Sequence, residues 1–247
     1  MANACALIFY NYGRGADEAW LERGKEAAEQ AAALQPDLPE VDVARAWVLY
    51  AAQNYDEAIR IAQQAIARKS DCGGYYLLGR ALFSAGRYQE LTDIAEIVIK
   101  AAGDDYNIYS PIQNAFGALG KTDALRNLRQ RKMQVLEEQI LKVPEDVRAR
   151  IMLAICYAAI GRIDDAMREI NLAILLRPDE ALVLYNAACA FCVMEKKSEA
   201  LEVLRKARAA GFEDAEWARR DPDLAILHGD PEFERLYPLS TTMTTAS

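Results

Sequence analysis

Cys189 and Cys192 form a Cys-x-x-Cys pair, which can hold a metal ion or a redox couple. No second pair follows, and the sole histidine, His228, stands far along the chain. The five cysteines, at 5, 72, 156, 189 and 192, are odd in number. Cys156, Cys189 and Cys192 lie in apolar helical runs, where a free thiol packs as a small hydrophobe. Core packing is therefore expected, with no metal or cofactor, and reduced thiols suit a cytoplasmic protein. The carboxylate pairs Asp104-Asp105 and Asp164-Asp165 fall in turns, where capping and solvation account for them. No glycine-rich phosphate loop follows a strand, and no strand pattern exists. No nucleophile, base or metal constellation emerges, so the chain is expected not to be an enzyme.

The elements that carry these residues repeat. Ala154 recurs as Ala188, Ala166 as Ala200, Ala173 as Ala207 and Pro144 as Pro178, each 34 residues on. Earlier, Ala46, Tyr55, Ala58 and Ala65 return as Gly79, Tyr88, Leu91 and Val98 at a spacing of 33. Two helices cross closely only where facing side chains are small, so alanine or glycine recurs at contact points. Glycine takes the corner between helices, and proline ends the second helix because it lacks the N–H and clashes backwards. One helical hairpin cannot bury its apolar face alone, so neighbours stack.

The corners Asn54-Tyr55-Asp56-Glu57-Ala58, Gly86-Arg87-Tyr88-Gln89-Glu90 and Gly161-Arg162-Ile163-Asp164-Asp165-Ala166 resemble the Gly-x-Tyr-x-x-Ala corner of the tetratricopeptide (TPR) repeat. With the prolines Pro36, Pro144 and Pro178, the resemblance runs from about Ala16 to Ala210. It implies an all-α, right-handed α-solenoid of about six hairpins over 1–239, at about 2–35, 40–69, 74–102, 106–142, 147–176 and 180–210. A short helical cap is expected over 213–237 and a disordered polar tail over 240–247. In the fourth hairpin the helix from Asp123 to Lys142 is about two turns longer than the family norm. Asp221-Pro222 and Asp230-Pro231 read as N-caps of cap helices, with Trp217, Leu224, Leu227, Phe233 and Leu236 covering the last hairpin. The first hairpin starts abruptly with the apolar Leu7, Ile8 and Phe9. That suggests either an excised C-terminal part of a longer protein or a homo-oligomer formed through this end.

A narrower resemblance lies in Asn186-Ala-Ala-Cys189-Ala, Ala210-Gly-Phe212, Asp221-Pro-Asp-Leu224 and Asp230-Pro-Glu-Phe233. These are similar to the closing segment of TPR regions in bacterial serine/threonine protein kinases and adenylate cyclases. No kinase or cyclase motif is present, so that activity is not implied here.

By the resemblance, the first helix of each hairpin lines a concave groove. Its positions read Val43, Trp47 and Tyr50, then Tyr76, Arg80 and Phe83, then Asn107, Ser110 and Asn114, then Arg148, Ile151 and Ile155, then Tyr185 and Cys189. The lysine and asparagine clamp by which some family members grip acidic chaperone tails is absent. Aromatics and arginine dominate interface energetics, which favours a peptide or protein partner. A one-residue change of register would instead pack Trp47 and Tyr76 between hairpins.

Twenty-nine basic and 37 acidic residues give a net charge of −8, which argues against nucleic-acid binding. Arg126 to Lys132 is a local basic run, read as a solvated helix face. No apolar run is long enough for a membrane span. The reading is thus a non-catalytic scaffold, with structural self-assembly as the alternative.

Overall fold

The computed structural model describes Met1 and residues 18–69, 73–213 and 215–238. Residues 2–17 of the expected first hairpin and the tail 240–247 lie outside the described residues, as does the side chain of Trp217. The described chain is all-α: α1 (Glu18–Leu34), α2 (Pro39–Ala51), α3 (Tyr55–Arg68), α4 (Gly74–Ser84), α5 (Tyr88–Asp93) and α6 (Ala95–Ala102). A 3-10 turn (Tyr106–Ile108) leads into α7 (Tyr109–Ala118), and α8 spans Thr122–Lys142. There follow α9 (Val147–Ala159), α10 (Ile163–Leu176), α11 (Ala181–Val193) and α12 (Lys197–Ala209). The C-terminal segment contains α13 (Ala215–Arg220), a 3-10 turn (Pro222–Leu227) and α14 (Pro231–Leu236). It is an all-α helical-repeat fold.

Two compact units divide the chain, Met1–Gln130 and Arg131–Ser247, and the division falls within α8. In the first, α2 packs on α1, α3 and α4, and α4 on α5, α6 and α7. In the second, α9 pairs with α10 and α11 with α12, while α9 and α11 also touch. The recurring alanines do what their spacing requires. Ala46, Ala58, Ala65, Ala154, Ala166, Ala173, Ala188, Ala200 and Ala207 are all fully buried. A larger side chain at any of them would push two helices apart.

The corners share one backbone device. Gly86, Gly120 and Gly161 take positive φ values of 72, 66 and 80°. Gln53 and Glu195 adopt the same region at equivalent corners, with φ of 63 and 59°. An L-residue there meets a steric penalty that glycine avoids. Glu195→Gly is therefore expected to raise stability by about 0.5–1 kcal/mol, read as a higher denaturation midpoint.

Two details depart from the sequence reading. The second helix of the third hairpin breaks at Ile94, whose φ and ψ are −99 and 3°, giving α5 and α6. Lys132, expected on a solvated face, is buried. The 21 residues of α8 match the predicted long helix.

Candidate functional site

In the first unit, one arginine gathers the aromatic residues. Arg80 rises from α4 one turn after Tyr76, so Nη1 donates to the Tyr76 hydroxyl at 2.9 Å and Nε to the Tyr50 hydroxyl at 3.4 Å. The guanidinium carbon lies 6.0, 5.5 and 5.6 Å from the ring centroids of Trp47, Tyr50 and Tyr76. Burial works against the Arg80 charge, but the Tyr76 and Tyr50 oxygens outweigh it and hold the guanidinium protonated. Trp47 meets Tyr50 edge-on at 5.8 Å and Tyr76 at 5.9 Å. The Tyr50 and Ser84 hydroxyls lie 3.3 Å apart. The rings of Phe83 and Tyr88 meet at a tilt of 35°, with centroids 5.2 Å apart.

Burial sorts the groove residues named from the sequence. Val43, Trp47 and Tyr50 are 2, 5 and 1% exposed. They join α2 to its neighbours instead of facing solvent, because Trp47 spans the step from α2 to Tyr76 of the next hairpin. Tyr76, Arg80 and Phe83 remain half-buried on the free side of α4, and Asn114 is exposed on α7, which packs beside α4. In the second unit Arg148 is exposed. Ile151 is buried with Ala173 and Val183, and Tyr185 is also buried. Tyr76, Arg80, Phe83 and Asn114 in the first unit and Arg148 in the second are thus solvent-accessible, and Val43, Trp47, Tyr50, Ile151 and Tyr185 are not.

Two buried polar clusters of the second unit were not foreseen. Arg150 pairs with Glu169, and its Nε and Nη2 donate to the Pro144 carbonyl at 2.8 and 2.6 Å. The arrangement ties α9, α10 and the Pro144 corner together. The signal was in the repeat: the positions 34 residues on hold Leu184 and Val203, so the charged pair becomes an apolar pair as a unit.

The second cluster fastens the C-terminal segment. Asp221 caps the 3-10 turn by accepting the Asp223 N–H at 3.0 Å. Its other oxygen accepts the Tyr185 hydroxyl at 2.7 Å and the Cys189 thiol at 3.7 Å. Phe212 stacks on Tyr185 with centroids 4.0 Å apart, and Leu224, Leu227 and Phe233 are fully buried against the last hairpin. Burial, then Cys189 and the Asp221 charge, drive the Tyr185 phenol far above its ordinary range. Burial, then Asp221, also raises the Cys189 thiol, and burial with Asp223 and Asp221 lifts Cys192 to about 12. Neither thiol is a nucleophile in this state. Tyr185→Phe is expected to cost about 1–3 kcal/mol, measured by denaturant unfolding, because Asp221 stays buried with one donor fewer.

The tetratricopeptide-repeat family model matches residues 133–190, from within α8 to within α11. This segment is similar to a tetratricopeptide repeat. It contains the Arg150–Glu169 pair and the corner at Gly161. Among curated proteins, anaphase-promoting complex subunit 7 of Mus musculus is 29% identical over 103 residues, which are 42% of this chain. The Homo sapiens protein of the same name is 28% identical over the same length. The match spans only 18% of either relative. Among solved structures, a thermophilic TPR protein of Thermus thermophilus superposes with a TM-score of 0.57 at 19% identity. That superposition covers 74% of this chain and 96% of the other, a likeness of fold. Match and fold together support a TPR protein, and TPR proteins generally mediate protein–protein interaction without catalysis. No described helix is long and apolar enough to cross a membrane.

Proposed function

We propose that this chain is a non-catalytic docking scaffold whose TPR hairpins present the free side of α4 to a peptide or protein partner. The observation that carries this reading is Arg80, held half-buried among Trp47, Tyr50 and Tyr76 by hydrogen bonds and ring contacts. A guanidinium fixed in advance loses little freedom on binding, and arginine with tyrosine supplies interface energy most often. Phe83 adds apolar area and Asn114 an amide on the neighbouring helix. The repeat architecture itself supports the class of function, because stacked hairpins build an extended surface.

The finer reading is that this scaffold serves as the docking or regulatory part of a bacterial signalling protein. Its support is the run Asn186-Ala-Ala-Cys189-Ala with the two Asp-Pro caps, which resembles the closing segment of kinase and cyclase repeat regions.

The test uses a random peptide display library selected on the full chain. Peptides recovered on the wild type should bind the Tyr76→Ala, Arg80→Ala, Phe83→Ala triple variant about a hundredfold more weakly or worse, with unchanged helicity. Undiminished binding would sink the site.

A further inference from the structure

We propose that Cys189, Asp221 and Asp223 form a binding site for a divalent metal ion of zinc type that pins the C-terminal segment to α11. The Cys189 sulfur and one carboxylate oxygen each from Asp221 and Asp223 lie within 4.8 Å of one another. The sulfur stands 3.7 Å from Asp221 Oδ2. A tetrahedral ion with sulfur at about 2.3 Å and oxygen at about 2.0 Å separates those ligands by about 3.5 Å, so this pair already has the required spacing. Asp223 is exposed at the rim, its oxygen within the same 4.8 Å.

The ligating group is one sulfur and two carboxylate oxygens, which leaves a fourth tetrahedral position for water. Mixed thiolate and carboxylate ligands select a borderline cation such as zinc over the hard alkaline-earth ions.

Charge and hydrogen bonding point the same way. Two carboxylates converge here, with an oxygen of each within 4.8 Å of the other and of the Cys189 sulfur. The groups around Asp221 are the Tyr185 hydroxyl, the Asp223 N–H and the Cys189 thiol, none of them cationic. Lys197 acts on Cys192 from the next helix. A divalent ion supplies the charge the carboxylates need.

The Tyr237 hydroxyl, fully buried and without a hydrogen-bond partner, lies in the same core, its ring edge-on to the Phe212 that stacks on Tyr185. With an ion bound, Tyr185, donating to Asp221, becomes the outer hydrogen bond that ligating carboxylates ordinarily have. Each thiol that ligates gives up its proton to solvent, so affinity rises with pH.

The experiment titrates zinc chloride into the metal-free full chain against a colorimetric chelator, then repeats it with cobalt(II) chloride. One equivalent should bind, cobalt should show a thiolate charge-transfer band, and the midpoint of thermal unfolding should rise with metal. The Cys189→Ser variant should lose the band. Asp223→Asn, altered only at the rim, should stay folded and bind about tenfold more weakly. No stoichiometric binding would mean Asp221 acts only as a hydrogen-bonding cap, and the proposal fails. Binding unchanged in the folded Cys189→Ser variant would place the ion elsewhere and also overturn it.

Discussion

Replacing Arg150 by alanine is expected to destabilise the protein by about 3–5 kcal/mol, the cost of leaving one member of a buried ion pair behind. Arg150 and Glu169 are 8 and 7% exposed. Without the guanidinium, the Glu169 carboxylate is left with Arg168, whose nitrogen lies 3.4 Å away on a largely exposed side chain. The Pro144 carbonyl loses both of its donors from Arg150, though it lies at an exposed residue where water replaces them. The double variant Arg150→Leu, Glu169→Val should behave quite differently. One repeat on, Leu184 and Val203 fill the equivalent places and are buried, so the frame accepts an apolar pair. Such replacements of buried ion pairs are often neutral or stabilising. Equilibrium unfolding in urea checks both variants. A single variant as stable as wild type, or a double variant as weak as the single one, would contradict the role given to this pair.

Trp47→Ala is expected to cost about 3–5 kcal/mol, the range for truncating a large buried aromatic. Trp47 touches Tyr50 edge-on and Tyr76 of the next hairpin, so its loss opens a cavity between α2 and α4. It also removes one of the three rings around Arg80. Peptide binding should therefore fall together with the unfolding midpoint. Arg80→Ala and Tyr76→Ala separate the two effects, because both side chains are half-buried. They should weaken binding strongly while shifting the midpoint much less than Trp47→Ala does. If Trp47→Ala leaves the midpoint unmoved, the tryptophan is a surface contact and the division between core and site is wrong.

Much of the fold could be read from small residues at fixed spacing. Ala154 with Ala188 and Ala166 with Ala200 mark helix crossings, and every one of them is buried. The long α8 was legible because Leu125, Leu128, Val135, Leu136 and Ile140 keep helical spacing through to Pro144. The break at Ile94 was not, since α5 and α6 read as one amphipathic run without proline or glycine. The site was legible in part. Helical spacing places Tyr76, Arg80 and Phe83 on one side of α4, but it cannot tell which first-helix positions a neighbouring hairpin covers. Val43, Trp47 and Tyr50 are covered in this way. Asp221 could be read as a cap from the proline that follows it. Its bonds to Tyr185 and Cys189 join residues more than thirty positions apart, and no local pattern encodes them.

The most direct measurement places a photo-crosslinking side chain at Phe83 or Asn114, beside Arg80 or on the neighbouring α7, and at Gln64, exposed on α3. Each labelled full-length chain is irradiated with a peptide selected on the wild type, and the adduct is mapped by mass spectrometry. The expected result is efficient crosslinking from Phe83 and Asn114, none from Gln64, and loss of the adducts in Arg80→Ala. Adducts from Gln64 alone, or adducts from Phe83 that survive Arg80→Ala at full yield, would contradict a docking surface built around Arg80.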